Sequence, residues 1–271
     1  MERHIMHENA PPVLRRDEGA VAILTLNRPA SRNSLSTGML AALQAALDEV
    51  AADRDIRAVV LAAEGPAFSA GHDLKEVTAH RADADGGAAF FAGIMAACGT
   101  VMQAVVALPQ PVVAAVQGIA TAAGCQLAAS CDLVVASTTA KFCTPGVDIG
   151  LFCSTPGVAL ARAVPRKSAM EMLLLGEMIP AGEAQRMGLV NRVMPPEAVL
   201  PTALALAQQI ASRSAVAVQL GKRGFNAQQA MPLAEAYAAA GAVMVENLLA
   251  EDAAEGIGAF VAKRRPEWQH R

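Results

Sequence analysis

GIATAAGCQLAASCDLVVASTTAKFCTPGVDIGLFCSTPG, residues 118–157, decides how the rest of the chain is read. An apolar run, VVAAV at 112–116, leads into it. Small residues follow (Ala120, Ala122, Ala123, Gly124), then one amide at Gln126 and a second apolar run, Leu133, Val134 and Val135. Small residues where a strand turns into a helix let main-chain amides come close to a ligand. A helix start also offers free N–H groups to developing negative charge. The same residues serve tight helix–sheet packing, and spacing alone does not choose between these uses.

Upstream, residues 14–19 read as a polar segment, and 21–26 (VAILTL) read as a buried strand. NRPASRNSLS is a loop in which Ser36 suits the N-cap of a helix. The apolar face of that helix would be Met39, Leu40, Leu43, Leu47 and Val50. Residues 56–62 are a second strand, 67–76 a loop, and 86–108 a helix that Pro109 and Pro111 terminate. Strand–helix alternation to about residue 160 favours an α/β core. Beyond it, helical patterns fill 169–175, 181–187, 201–212, 233–249 and 255–263, with a short strand at 190–193. The expected divisions are a flexible N-terminus at 1–12, a core at 13–198 and a helical region at 199–271.

Composition narrows the function. The 271 residues are 54% hydrophobic but 3% aromatic, which argues against a stacking surface for single-stranded nucleic acid. A formal charge of −3 supplies no global field for a polyanion, so nucleic acid is not expected as a partner. The five cysteines (Cys98, Cys125, Cys131, Cys143, Cys153) form no CxxC pair, so neither a zinc framework nor a redox motif is expected. Buried reduced thiols are the expectation. No run of about 18 apolar residues is uninterrupted, and the first dozen residues read as neither secretory signal nor presequence. A cytoplasmic chain with no membrane-spanning helix is therefore expected.

Three segments carry residues suited to chemistry: AFSAGHD at 67–73, TAAGCQ at 121–126 and TPGVDIGLFCSTPG at 144–157. In this order, with NRP…NSL at 27–35, the LAxxCD run at 127–132, and AGEAQRMGLVNRV, EGIGAF and KRRPEW in the tail, they resemble the crotonase superfamily. This is the enoyl-CoA hydratase/isomerase family, and the resemblance spans about 21–268. It implies a ββα spiral core with a helical C-terminal trimerisation region, packed as a homotrimer or a dimer of trimers. It also implies an acyl-CoA thioester as substrate, coenzyme A entering as part of that substrate, with no separate cofactor and no metal.

By family position, the backbone amides of His72 and Ala123 would hold the thioester oxygen and stabilise its enolate. Backbone near Ala30, Ala70 and Leu74, with Arg28, Arg32, Asp73 or Lys75, would meet the CoA portion. Pro145, Gly146, Leu151 and Phe152 would line the acyl side. Phe260 and Lys263 match residues that relatives contribute to a neighbouring subunit's CoA site.

The sequence departs from the family at three places. Ala123 stands where glycine is usual, and its methyl restricts positive φ. The two acid–base glutamates fall on Gln126 and Gly146, and an amide cannot accept the proton of a water. A further acid used by dienoyl-CoA isomerases falls on Ser154. A positioned acid or base contributes about 10²–10⁴ in rate, so losing both should cripple ordinary hydration. Asp132 reads as a strand-end hydrogen bonder and Asp148 as a turn residue. The expectation is thus an acyl-CoA-processing enzyme with an atypical site. A non-catalytic acyl-CoA binder, or a true hydratase using an unrecognised base, are the alternatives.

Overall fold

In a computed structural model, the structure describes residues 10–271, so most of the expected flexible N-terminus lies outside the described residues. A large sheet and a small sheet are wound together by the chain. The polar segment at 14–19 is itself a strand, β1 (Val13–Glu18), antiparallel to β2 (Val21–Leu26). Sequence reading missed β1 because an edge strand keeps one face in water. Its Arg15 bonds Asp53 at 2.6 Å, tying the edge to the end of α1 (Thr37–Ala52). Ser36 caps α1 as expected, its Oγ accepting from the Met39 amide at 3.2 Å.

Three ββα turns follow. β3 (Ala58–Ala63), β4 (Ala67–Ser69) and α2 (Leu74–Ala79) form the first, and α3 (Ala88–Ala107) connects it onward. The second turn is β5 (Val112–Val116), β6 (Ile119–Thr121) and α4 (Ala123–Ser130). The third is β7 (Leu133–Ser137), β8 (Lys141–Cys143) and α5 (Ser154–Ala163). Next come α6 (Arg166–Leu175), β9 (Ile179–Pro180), α7 (Ala181–Arg186) and β10 (Arg192–Met194). The chain closes with α8 (Val199–Ala211), α9 (Ala215–Gln228), α10 (Leu233–Leu248) and α11 (Glu251–Val261).

The first strand of each turn joins the large sheet, ordered β1-β2-β3-β5-β7-β10, which is parallel from β2 onward. The second strand joins the small sheet, ordered β4-β6-β8-β9, whose first three strands are parallel. This is the expected α/β spiral. One apolar core fills the space among the two sheets, α1, α3 and α4, and includes Phe68, Leu127 and Phe142. A second cluster covers the outer face of the large sheet, where Val199, Ala203, Ala207 and Ala211 of α8 meet Val60, Val113 and Val135. By packing, α8 therefore goes with the sheet, and the helices standing off it begin at Ala215.

One described helix, Ala88–Ala107, is long and apolar enough to cross a membrane by length and composition. It packs on α1 and α4 and buries Ile94, Cys98, Val101, Met102 and Val105.

Candidate active site

The three sequence segments leave the C-terminal ends of β4, β6 and β8, adjacent parallel strands of the small sheet. Parallel neighbours release their outgoing loops on one side, so the sheet gathers them at one edge.

The first loop is stapled by an asparagine that sequence reading left without a role. Asn33 is fully buried at φ 52°, in a left-handed conformation that Asn tolerates. Its Nδ2 donates to the carbonyls of Glu64 and Ala67 at 2.8 and 2.9 Å, and its Oδ1 accepts from the Arg28 amide at 2.8 Å. Ser69 is equally buried, its Oγ donating to the Asn33 carbonyl at 2.8 Å and accepting from the Gly71 amide at 3.3 Å. The available signal was an Asn inside a turn-rich stretch.

Gly71 has φ +81°, and a Cβ there would lie 2.9 Å from the Ala122 Cβ and 3.1 Å from the Ala123 nitrogen. The loop bearing His72 therefore abuts the first turn of α4. Gly124 does the same from the other side, where a Cβ would meet the Ser69 carbonyl at 2.3 Å. Each loop also leaves one amide free beside a satisfied one. The Gly71 amide reaches Ser69 and the Ala122 amide reaches the Cys143 carbonyl at 3.0 Å. Neither the His72 nor the Ala123 amide has an acceptor among the described residues. Ala123 is the first helical residue, so its methyl meets no positive φ; the positive φ falls on Ala122, at φ 50° and ψ −120°.

His72 is half-buried. Its Nδ1 lies 3.2 Å from the Leu35 carbonyl, which fixes the proton on Nδ1. Its Nε2 is buried without a partner. Burial, which outweighs that bond and the nearby Glu76 charge, holds the imidazole below its ordinary pKa. Gln126, 4% exposed, lies one turn beyond Ala123; its Oε1 is buried without a partner and its side chain makes no hydrogen bond.

Gly146 is buried in the 3-10 turn Pro145–Ile149, where a Cβ would lie 2.8 Å from the Cys153 Sγ and 2.9 Å from the Leu151 carbonyl. Position 146 is thus closed by Cys153. Leu151 and Phe152 are about half exposed beside it. Ser154 opens α5 on the surface, its Oγ 3.4 Å from the Phe152 carbonyl. Burial raises the pKa of all five thiols, that of Cys98 to about 11.

Of the other expected residues, Arg28 bends back on its own loop, donating to the Asn27 and Pro11 carbonyls at 2.7 and 3.2 Å. Ala30 and Arg32 are exposed, and the Arg32 carbonyl accepts from the Ala70 amide at 2.9 Å. Asp73 caps α2 through the Lys75 and Glu76 amides, and Leu74 projects outward. Phe260, 84% exposed, is on α11 and Lys263 just beyond it; α11 packs on α9 and α10, so this chain does not bring them to the three loops. Asp132 bonds the Val112 amide at 2.7 Å and Lys222 at 2.6 Å, a structural role. Asp148 is exposed and makes no hydrogen bond among the described residues, so the expected turn-tying role is not seen. A cavity of about 510 Å³ lies at the opposite end of α4 beside Asp132 and Lys222, which are committed to each other.

The model of the enoyl-CoA hydratase/isomerase family matches residues 16–271. The chain belongs to that family. Rattus norvegicus enoyl-CoA hydratase domain-containing protein 3, whose name places it in mitochondria, is 47% identical over 255 residues, or 94% of this chain and 83% of the relative. A crystal structure of an enoyl-CoA hydratase from Mycobacterium smegmatis superposes with TM-score 0.90 at 49% identity, covering 96% of this chain and 99% of that one. The human domain-containing protein 3 structure gives TM-score 0.90 at 46% identity, covering 95% and 100%. Family membership therefore rests on the whole fold.

Proposed function

We propose that the protein binds an acyl-CoA thioester with its carbonyl oxygen between the His72 and Ala123 amides, which stabilise the enolate as charge moves onto that oxygen. The observation that carries this reading is the pair of acceptor-free amides in loops that Gly71 brings into contact. Such preorganised donors need no reorganisation when charge develops, and removing one costs about 10²–10³ in rate. CoA would lie along the 28–33 and 70–74 loops, with the acyl group towards Gln126, Pro145, Gly146, Leu151 and Phe152.

Efficient hydration is not part of the reading. Gln126 cannot accept a proton from water, and a glutamate at 146 would have to displace the Cys153 sulfur. The apolar residues exposed on α10 and α11 support subunit packing as a trimer or dimer of trimers. In that assembly a neighbour's Phe260 and Lys263 would complete the CoA site.

Calorimetric titration with acetyl-CoA beside a crotonyl-CoA hydration assay tests this. Micromolar binding with hydration near background is expected. Absence of acetyl-CoA binding contradicts the thioester site, and hydration at the rate of an efficient hydratase contradicts the loss of acid–base chemistry.

A further inference from the structure

We infer that the substrate carries a carboxylate on its α-carbon and that the reaction is decarboxylation of this α-carboxyacyl thioester; the inference rests on the thioester site proposed above. Two separate features of the acyl side lead to it.

The first is charge. Across loops 70–73, 122–126 and 144–154 the only acids are Asp73 and Asp148. Asp73 is committed to capping α2, and Asp148 is exposed in the 3-10 turn. A glutamate pair would repel an anionic acyl group strongly at low dielectric. Gln126 and Gly146 carry no charge. Gln126 also has an amide that can donate, and its side chain is buried without any protein partner. Exchanging its O and N leaves the buried atom equally unpartnered, so the group awaits a ligand in either orientation.

The second is the missing base. Hydration, isomerisation and thioester hydrolysis each require a group that takes a proton from water or carbon. The His72 imidazole is a poor candidate: its Nδ1 proton goes to a carbonyl rather than a carboxylate, and a second proton would sit on a buried Nε2 that has no hydrogen-bond partner. The thiols of Cys125 and Cys153 are held protonated by burial.

Decarboxylation makes the same enolate without a base. The bond from Cα to the carboxylate breaks and its electron pair passes into the thioester carbonyl. The resulting oxyanion rests on the two amides, CO2 departs, and Cα takes one proton from solvent.

The full chain incubated with malonyl-CoA in D2O, with products read by mass spectrometry, tests the inference. Acetyl-CoA carrying one deuterium, formed well above the protein-free rate, is expected. Gln126→Glu should weaken malonyl-CoA binding at least tenfold more than acetyl-CoA binding. If that variant does not fold, Gln126→Leu should abolish the preference for malonyl-CoA over acetyl-CoA. Protein that binds acetyl-CoA but neither prefers nor decarboxylates malonyl-CoA overturns this inference and leaves the thioester site standing. Protein that binds neither overturns both.

Discussion

Ala122 concentrates the local strain of the site. At φ 50° and ψ −120° it occupies a region costly for any residue with a Cβ, held there by the Cys143 carbonyl and the contact with Gly71. Ala122→Gly should therefore gain about 1 kcal/mol, seen as a rise in Tm of about 2–4 °C; an unchanged Tm would mean the strain is absent. His72 makes a pH prediction. Because burial lowers its folded pKa, the unfolded chain binds more protons just below the ordinary value of about 6.5. Stability contributed by the neutral imidazole is thus present above that pH and lost as pH falls, levelling off below the folded pKa. In urea titrations at pH 5 to 7, His72→Asn should flatten this slope while leaving acetyl-CoA affinity within about threefold, since the proposed donor is the main chain. The AFSAGHD segment at 67–73 was legible as part of the site, and its glycine at 71 is the residue that fits the bend there without cost. The strain at Ala122 was not legible, since strands far apart in the chain impose it.

At the scale of elements, long segments with strong periodicity were readable and short ones were not. The expected helices at 86–108 and 233–249 appear as Ala88–Ala107 and Leu233–Leu248. The three-residue strands β4, β6 and β8 carry too few residues for a period-two signal, yet they gather the site. The helix α9 escaped notice because its AVAVQLGKRGFNAQ sequence buries little besides Ala215. Polar groups anchor it: Lys222, whose side chain is 8% exposed, bonds Asp132 at 2.6 Å and the Val105 and Gln110 carbonyls at 3.3 Å, and Asn226 donates to the Val106 carbonyl at 3.1 Å. Lys222→Met should cost about 2 kcal/mol, mostly through the lost hydrogen bonds of the buried ammonium to the Val105 and Gln110 carbonyls, since Asp132 itself is exposed. Chemical denaturation would measure this, and a loss below 1 kcal/mol would show the anchor to be redundant.

Over the whole molecule, burial is uneven. The sheets and inner helices bury a continuous core, whereas α10 buries no residue, and Leu249, Phe260 and Val261 are each at least three-quarters exposed. The tail folds back instead of trailing. The Asp252 carboxylate accepts from the Gln269 and His270 amides, and Trp268 donates to the Ser212 carbonyl at 3.1 Å. A rigid frame presenting this much apolar surface suits a partner of the same kind. Leu249→Glu with Phe260→Glu should shift the protein to monomers by light scattering with its circular dichroism intact; an unchanged mass would place the subunit contact elsewhere. The family's fold could be read in the chain because its motifs recur in order. That positions 126 and 146 carry no acid could be read too, but not the sulfur of Cys153 closing position 146, which depends on the path of the 3-10 turn. The most direct measurement is the infrared carbonyl stretch of acetyl-CoA labelled with carbon-13 at the thioester carbonyl. Two amides on that oxygen predict a shift to lower wavenumber on binding, and a bound thioester absorbing where the free one does would contradict the account.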